Sequence, residues 1–103
     1  MMAKAQVTKV LDLVVKDVGL ERPGIAFSRL EELRQWLESQ IEMMMAQDFQ
    51  RLVLLLYRID ISEEKAKMAF ASAEPSMELA RLIVERELQK VISREKYRER
   101  DGE

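Results

Sequence analysis

The chain has 103 residues, 48% of them apolar and 35% charged, with a net charge of −2. This is one domain's worth of chain, too rich in apolar residues for a disordered tail and too nearly neutral to be drawn as a whole to nucleic acid or a membrane surface. Cysteine and histidine are both absent, which removes disulfides, thiol nucleophiles, thiolate metal sites and the usual neutral-pH base.

Only three glycines and two prolines punctuate the sequence, and asparagine is missing. The abundant Leu, Glu, Arg, Lys, Met, Ala and Gln favour helix. The expected fold is all-α: a single domain, 1–103, built as a mostly antiparallel bundle of about four helices over 3–18, 28–58, 63–72 and 76–97.

In the first helix, Val7, Val10, Leu11, Val14, Val15 and Val18 recur at three- and four-residue steps. Lys9, Asp12 and Lys16 interrupt the apolar stretch, so it does not read as a signal peptide. Gly19 is placed to cap it in the left-handed conformation, and Arg22-Pro23-Gly24 forms a turn.

Ser28 and Glu31 have capping-box spacing, which starts the second helix. Its apolar face runs Leu30, Leu33, Leu37, Ile41, Met44 or Met45, Phe49, Leu52 or Val53, and Leu56, with no Pro or Gly to stop it. Taken as one helix over 28–58, it is about 45 Å long. Its longest apolar run, Leu52 to Tyr57, is far short of the ~20 residues of a membrane span. Asp48 lies one turn before Leu52, just ahead of the apolar run, where an acid needs a partner; Arg51, Arg81 and Arg86 are the candidates for a structural or solvent-facing ion pair.

Asp60 to Ser62 forms a corner. Ser62 with Glu63 and Glu64 starts the short third helix, whose Ala66, Ala69 and Ala73 allow close approach. Pro75 opens the last helix, with core face Leu79, Ala80, Ile83, Val84, Leu88, Val91 and Ile92. Residues 93–103 are nearly all charged and are expected to fray. The core is expected to hold Leu33, Leu37, Ile41, Phe49, Leu52, Val53, Leu56, Ile83, Val84 and Leu88.

Chemistry finds little purchase. Glu38 with Glu42, and Glu74 with Glu78, are one-turn carboxylate pairs that read as solvated faces. Without histidine the di-iron motif of helical bundles is impossible. The hydroxyls are six serines, Thr8, Tyr57 and Tyr97; Ser28 and Ser62 serve as caps, and Ser39 and Ser93 fall on polar faces. No Gly-rich phosphate loop exists. No catalytic residue, cofactor or metal is expected.

Two surfaces stand out. Arg86, Lys90, Arg94 and Arg98, four residues apart, form one basic ridge on the last helix. It could hold phosphates, but Glu85, Glu87, Glu95 and Glu99 flank it, so binding to nucleic acid is not expected. Met43, Met44 and Met45 turn through most of a helical circumference, so they cannot all face one core. With Trp36 about two turns earlier, they form the expected interface of a homodimer.

The stretch Asp48-Phe49 through Leu55-Leu56-Tyr57-Arg58-Ile59-Asp60-Ile61-Ser62-Glu63, with Leu82-Ile83-Val84-Glu85-Arg86-Glu87-Leu88-Gln89-Lys90, resembles small uncharacterised helical proteins of bacterial genomes, across roughly residues 30–95. The resemblance implies a bacterial cytoplasmic helical domain and no activity. The lack of cysteine agrees with the cytoplasm. The expected function is therefore non-enzymatic, an interaction or adaptor protein that acts as a homo-oligomer with a protein partner and no membrane. The alternative is a nucleic-acid-associated accessory protein that uses the basic ridge.

Overall fold

The computed structural model describes residues 4–101, with side chains to residue 98. Its five helices are α1 (Lys4–Val18), α2 (Leu30–Gln47), α3 (Phe49–Ile59), α4 (Glu63–Phe70) and α5 (Pro75–Asp101), and no strand occurs among the described residues. Ala3, the expected start of the first helix, lies outside them. No described helix is long and apolar enough to cross a membrane.

The stripe Val7, Val10, Leu11, Val14 and Val18 is buried along the whole of α1. Valine is a mediocre helix former, and packing of this stripe overrides its propensity. Gly19 ends the helix at φ +73°, where its N–H and that of Leu20 both donate to the Val15 carbonyl, at 3.0 and 3.2 Å. A side chain would be strained in that left-handed position.

The N-cap of α2 is Arg29, one residue later than the capping-box spacing predicts. The Glu32 carboxylate, not that of Glu31, accepts from the Ser28 and Arg29 N–H groups, at 3.0 and 3.1 Å. The buried stripe is Leu33, Leu37, Ile41 and Met44.

The expected single helix over 28–58 is two helices, broken at Asp48. The Asp48 N–H closes α2 on the Met44 carbonyl at 2.8 Å. Its backbone then leaves the helical region (φ −153°, ψ 69°), and its carboxylate caps α3 by accepting from the Arg51 N–H at 3.1 Å. In an unbroken helix Asp48 would follow Ile41 and Met44 on the buried stripe and carry a carboxylate into the core. Breaking the helix keeps that carboxylate exposed and gives it a capping role. Asp48→Ala is therefore expected to cost about 0.5–2 kcal/mol, and Asp48→Asn much less, because asparagine also caps. Chemical denaturation of both variants checks this.

The break rotates α3 so that Leu52, Leu55, Leu56 and Ile59 are buried while Phe49 and Val53, both expected in the core, face outward. Asp60 ends α3 in the left-handed region (φ 70°), with its N–H on the Tyr57 carbonyl and that of Ile61 on Leu56. Ser62 caps α4 through Oγ, which accepts from the Lys65 N–H at 3.1 Å.

α5 packs against all four other helices. Its 27 residues span about 40 Å, close to the 47 Å long axis of the molecule. Leu79, Ala80, Leu82, Ile83, Val84 and Val91 are buried on it; Leu88 is half-buried against the core and Ile92 is exposed. The helix continues past residue 97 to Asp101. Near that end Glu95 accepts from Lys9 at 3.0 Å and Gln6 at 3.3 Å, tying α5 to the start of α1.

Candidate functional site

α3 and α4 fold back on each other around the Asp60–Ser62 corner, so that Phe49 at the start of α3 meets Phe70 at the end of α4 with ring centroids 5.4 Å apart. Between them lies a cleft of about 390 Å³. Leu56 and the small Ala66 line it together with Val53, Tyr57, Ile61 and Phe70. Asp60, Ser62, Glu63 and Lys67 supply its polar edge.

The outer face of α3 beside the cleft is unusually apolar for a solvated surface. Phe49 is 50% exposed, Leu54 61% and Tyr57 82%, and Val53 is also exposed. Phe49, Val53 and Tyr57 are four residues apart, which puts them in one row along the helix.

The predicted interface residues divide. Met44 is buried and Met45 half-buried, its sulfur accepting from the Ser76 hydroxyl at 3.5 Å. Trp36 is half-buried and packs on the buried Phe27, ring centroids 6.0 Å apart. Met43 alone of the four is exposed. The premise of a 45 Å helix with too few partners fails, because α2 ends at Gln47.

The basic ridge divides as well. Arg86 donates from Nε to the Ile59 carbonyl at 3.3 Å, capping the negative end of α3, and lies 3.6 Å from Asp60. Lys90 is 3.3 Å from Asp17 and 3.6 Å from Glu87. Arg94 and Arg98 are exposed and line a shallow hollow with Lys9, Asp12 and Glu95. Half of the ridge thus serves the fold.

None of the expected guanidinium partners meets the Asp48 carboxylate. Arg51 reaches it through its backbone N–H, while its guanidinium donates to the Gly19 carbonyl at 2.7 Å. Arg81 pairs with Glu78 and Glu85. Several hydroxyls serve the backbone: Thr8, Ser39 and Ser72 donate to carbonyls three or four residues earlier. Among the described residues, no group of three or more acidic side chains is placed to hold a metal ion.

Sequence reasoning missed Glu87, which it read as a flanking surface charge. It is 0% exposed, and neither carboxylate oxygen has a hydrogen-bond donor. The signal was present: Ala80, Ile83, Val84, Glu87 and Val91 follow one helical stripe. No protein-family model matches the chain, and comparison with curated proteins and with solved structures finds no match.

Proposed function

We propose that this protein is a non-enzymatic interaction module of the bacterial cytoplasm that works as a homodimer, with the α3–α4 cleft and the outer row of α3 as its docking face. The observation that carries this reading is the row Phe49, Val53 and Tyr57, left in solvent next to an apolar cleft of about 390 Å³. Contiguous apolar surface of this kind marks an interaction site.

A second copy of the chain is the occupant. Val53 and Tyr57 belong both to the exposed row and to the wall of the cleft, so row and cleft form one continuous apolar face. A two-fold axis lets each copy supply both. The cleft edge carries both signs, with Asp60 and Glu63 near Lys67, so the same axis can set unlike charges opposite each other. Met43 then lies outside the centre of the contact, and the interface moves from the predicted Trp36 and methionine surface to α3. We read the five helices as a mostly antiparallel bundle, which leaves this face uncovered.

Sedimentation equilibrium at micromolar concentrations is expected to give twice the 12.1 kDa chain mass. Val53→Glu places a charge in the contact and is expected to weaken the dimer by about 2 kcal/mol or more, some thirtyfold in Kd. Added salt is expected to change little. A parent that stays at 12.1 kDa sinks the dimer, and dissociation by Met43→Glu instead of Val53→Glu would return the interface to α2.

A further inference from the structure

Glu87 sits in the α5 stripe between Ile83 and Val91, facing the end of α1. Its neighbours are Asp17 of α1 and Lys90 of α5, with Lys90 Nζ 3.3 Å from Asp17 Oδ2 and 3.6 Å from Glu87 Oε2. One ammonium therefore serves two carboxylates. The cluster is neutral only if one further proton is held between them. Held on Glu87, that proton turns one of its otherwise unpartnered oxygens into a donor towards the Asp17 carboxylate.

We propose that Asp17, Glu87 and Lys90 form a proton-operated clasp: while one proton is held between the two carboxyls, the C-terminal half of α1 is locked onto α5, and loss of that proton loosens it. Losing the proton leaves an uncompensated negative charge in a site with no exposure, which is strongly unfavourable. The cheapest relief is to let water in, and α1 is the element that can move. It is joined to α2 by residues 19–29, a connection without a helix.

The surroundings sharpen this reading. Burial first, and then the Asp17 carboxyl, push Glu87 up to about 7, against the pull of Lys90. Partial burial opposes ionisation of Asp17, but its interactions with Glu87 and Lys90 hold it below the usual carboxylate range, helped by Lys16. The proton therefore resides on Glu87. The buried side chains that α2, α3 and α4 supply to the core are apolar, Leu37, Ile41, Leu52 and Ala69 among them. From α3, Arg51 reaches the Val18 and Gly19 carbonyls at the end of α1. It holds α1 through its carbonyls and does not lie on Glu87.

The sign follows from the raised value. The folded protein keeps the proton up to about pH 7, whereas the opened chain loses it near the ordinary carboxyl value of 4.5. Docking is thus strongest below about 4.5 and weakens as pH rises through 7. Asp17 acts the other way, but only at lower pH, as the pH falls from its ordinary value of 3.8 through its lowered one.

Amide hydrogen exchange of the full chain, corrected for the pH dependence of the chemical rate, tests the clasp. The opening equilibrium of the C-terminal half of α1 is expected to rise roughly fiftyfold between pH 5 and pH 8, with α2 unchanged. Glu87→Gln, which keeps the shape and cannot titrate there, is expected to abolish the rise. Asp17→Asn, a milder change at a largely covered side chain, is expected to shift the midpoint to lower pH. A flat parent profile, a rise shared equally by all helices, a slope that survives in Glu87→Gln or a midpoint unmoved in Asp17→Asn would each overturn the proposal.

Discussion

Truncation of Ile83 to alanine is expected to destabilise the protein by about 2–5 kcal/mol. Ile83 is fully buried on α5, the helix that touches every other. Removing its branched end leaves a cavity in the fully buried core, and its cost adds to the lost burial. Total stability for a domain of this size is about 5–15 kcal/mol, so the loss is a large fraction of it. Leu56→Ala, at a buried α3 site, is expected to fall in the same range. Ile92, on the same helix as Ile83 but more than a third exposed, provides the contrast, since Ile92→Ala is expected to cost less than about 1 kcal/mol. Denaturant midpoints at one pH make the comparison. A loss below about 0.5 kcal/mol for Ile83→Ala would mean that α5 is not the centre of the core.

Replacing Glu87 with methionine is expected to improve stability relative to the parent as pH rises, by about 2 kcal/mol between pH 5 and pH 8. Glu87 is held near pH 7 in the folded chain, above its ordinary value. Its contribution is present in full below about 4.5 and is lost on the way up to about 7. Each unit of that interval is worth about 1.4 kcal/mol. Methionine fills a similar volume, carries no charge and leaves Lys90 paired with Asp17. Thermal or chemical denaturation of the two proteins at pH 5, 6, 7 and 8 gives the difference directly. Parallel curves would show that Glu87 ionises no differently in the folded and unfolded chains.

Both experiments concern residues whose stripe can be read from the sequence, yet only one was correctly placed by it. Ile83 is apolar on an apolar stripe, and nothing competes with burial. Glu87 is on the same stripe, but an acid there is equally consistent with the edge of the buried face. Whether position 87 is covered depends on how far α1 extends along α5, and no local pattern encodes that distance. Asp48 shows the opposite case. Its step from Ile41 and Met44 assigns it to the core, and the chain instead breaks the helix to keep its carboxylate outside. Helix periodicity contains no information on that choice, because propensity across residues 44–52 is helical on either outcome.

The sequence by itself determined that the chain is helical, where α1, α4 and α5 lie within a few residues, that Gly19 and Ser62 punctuate it, and that Leu33, Leu37, Ile41, Leu52, Leu56, Ile83 and Val84 are inside. These follow from interactions within a few residues: backbone propensity, caps and the 3.6-residue repeat. Tertiary structure alone decided that the second helix is two, that Phe49 and Val53 turn outward and Val53 lines a cleft, that Arg86 and Lys90 are taken up by Ile59, Asp17 and Glu87, and that one carboxyl is sealed in the core. Each depends on contacts between segments far apart in the chain, where the cost of burying or exposing a group is set by whatever packs over it.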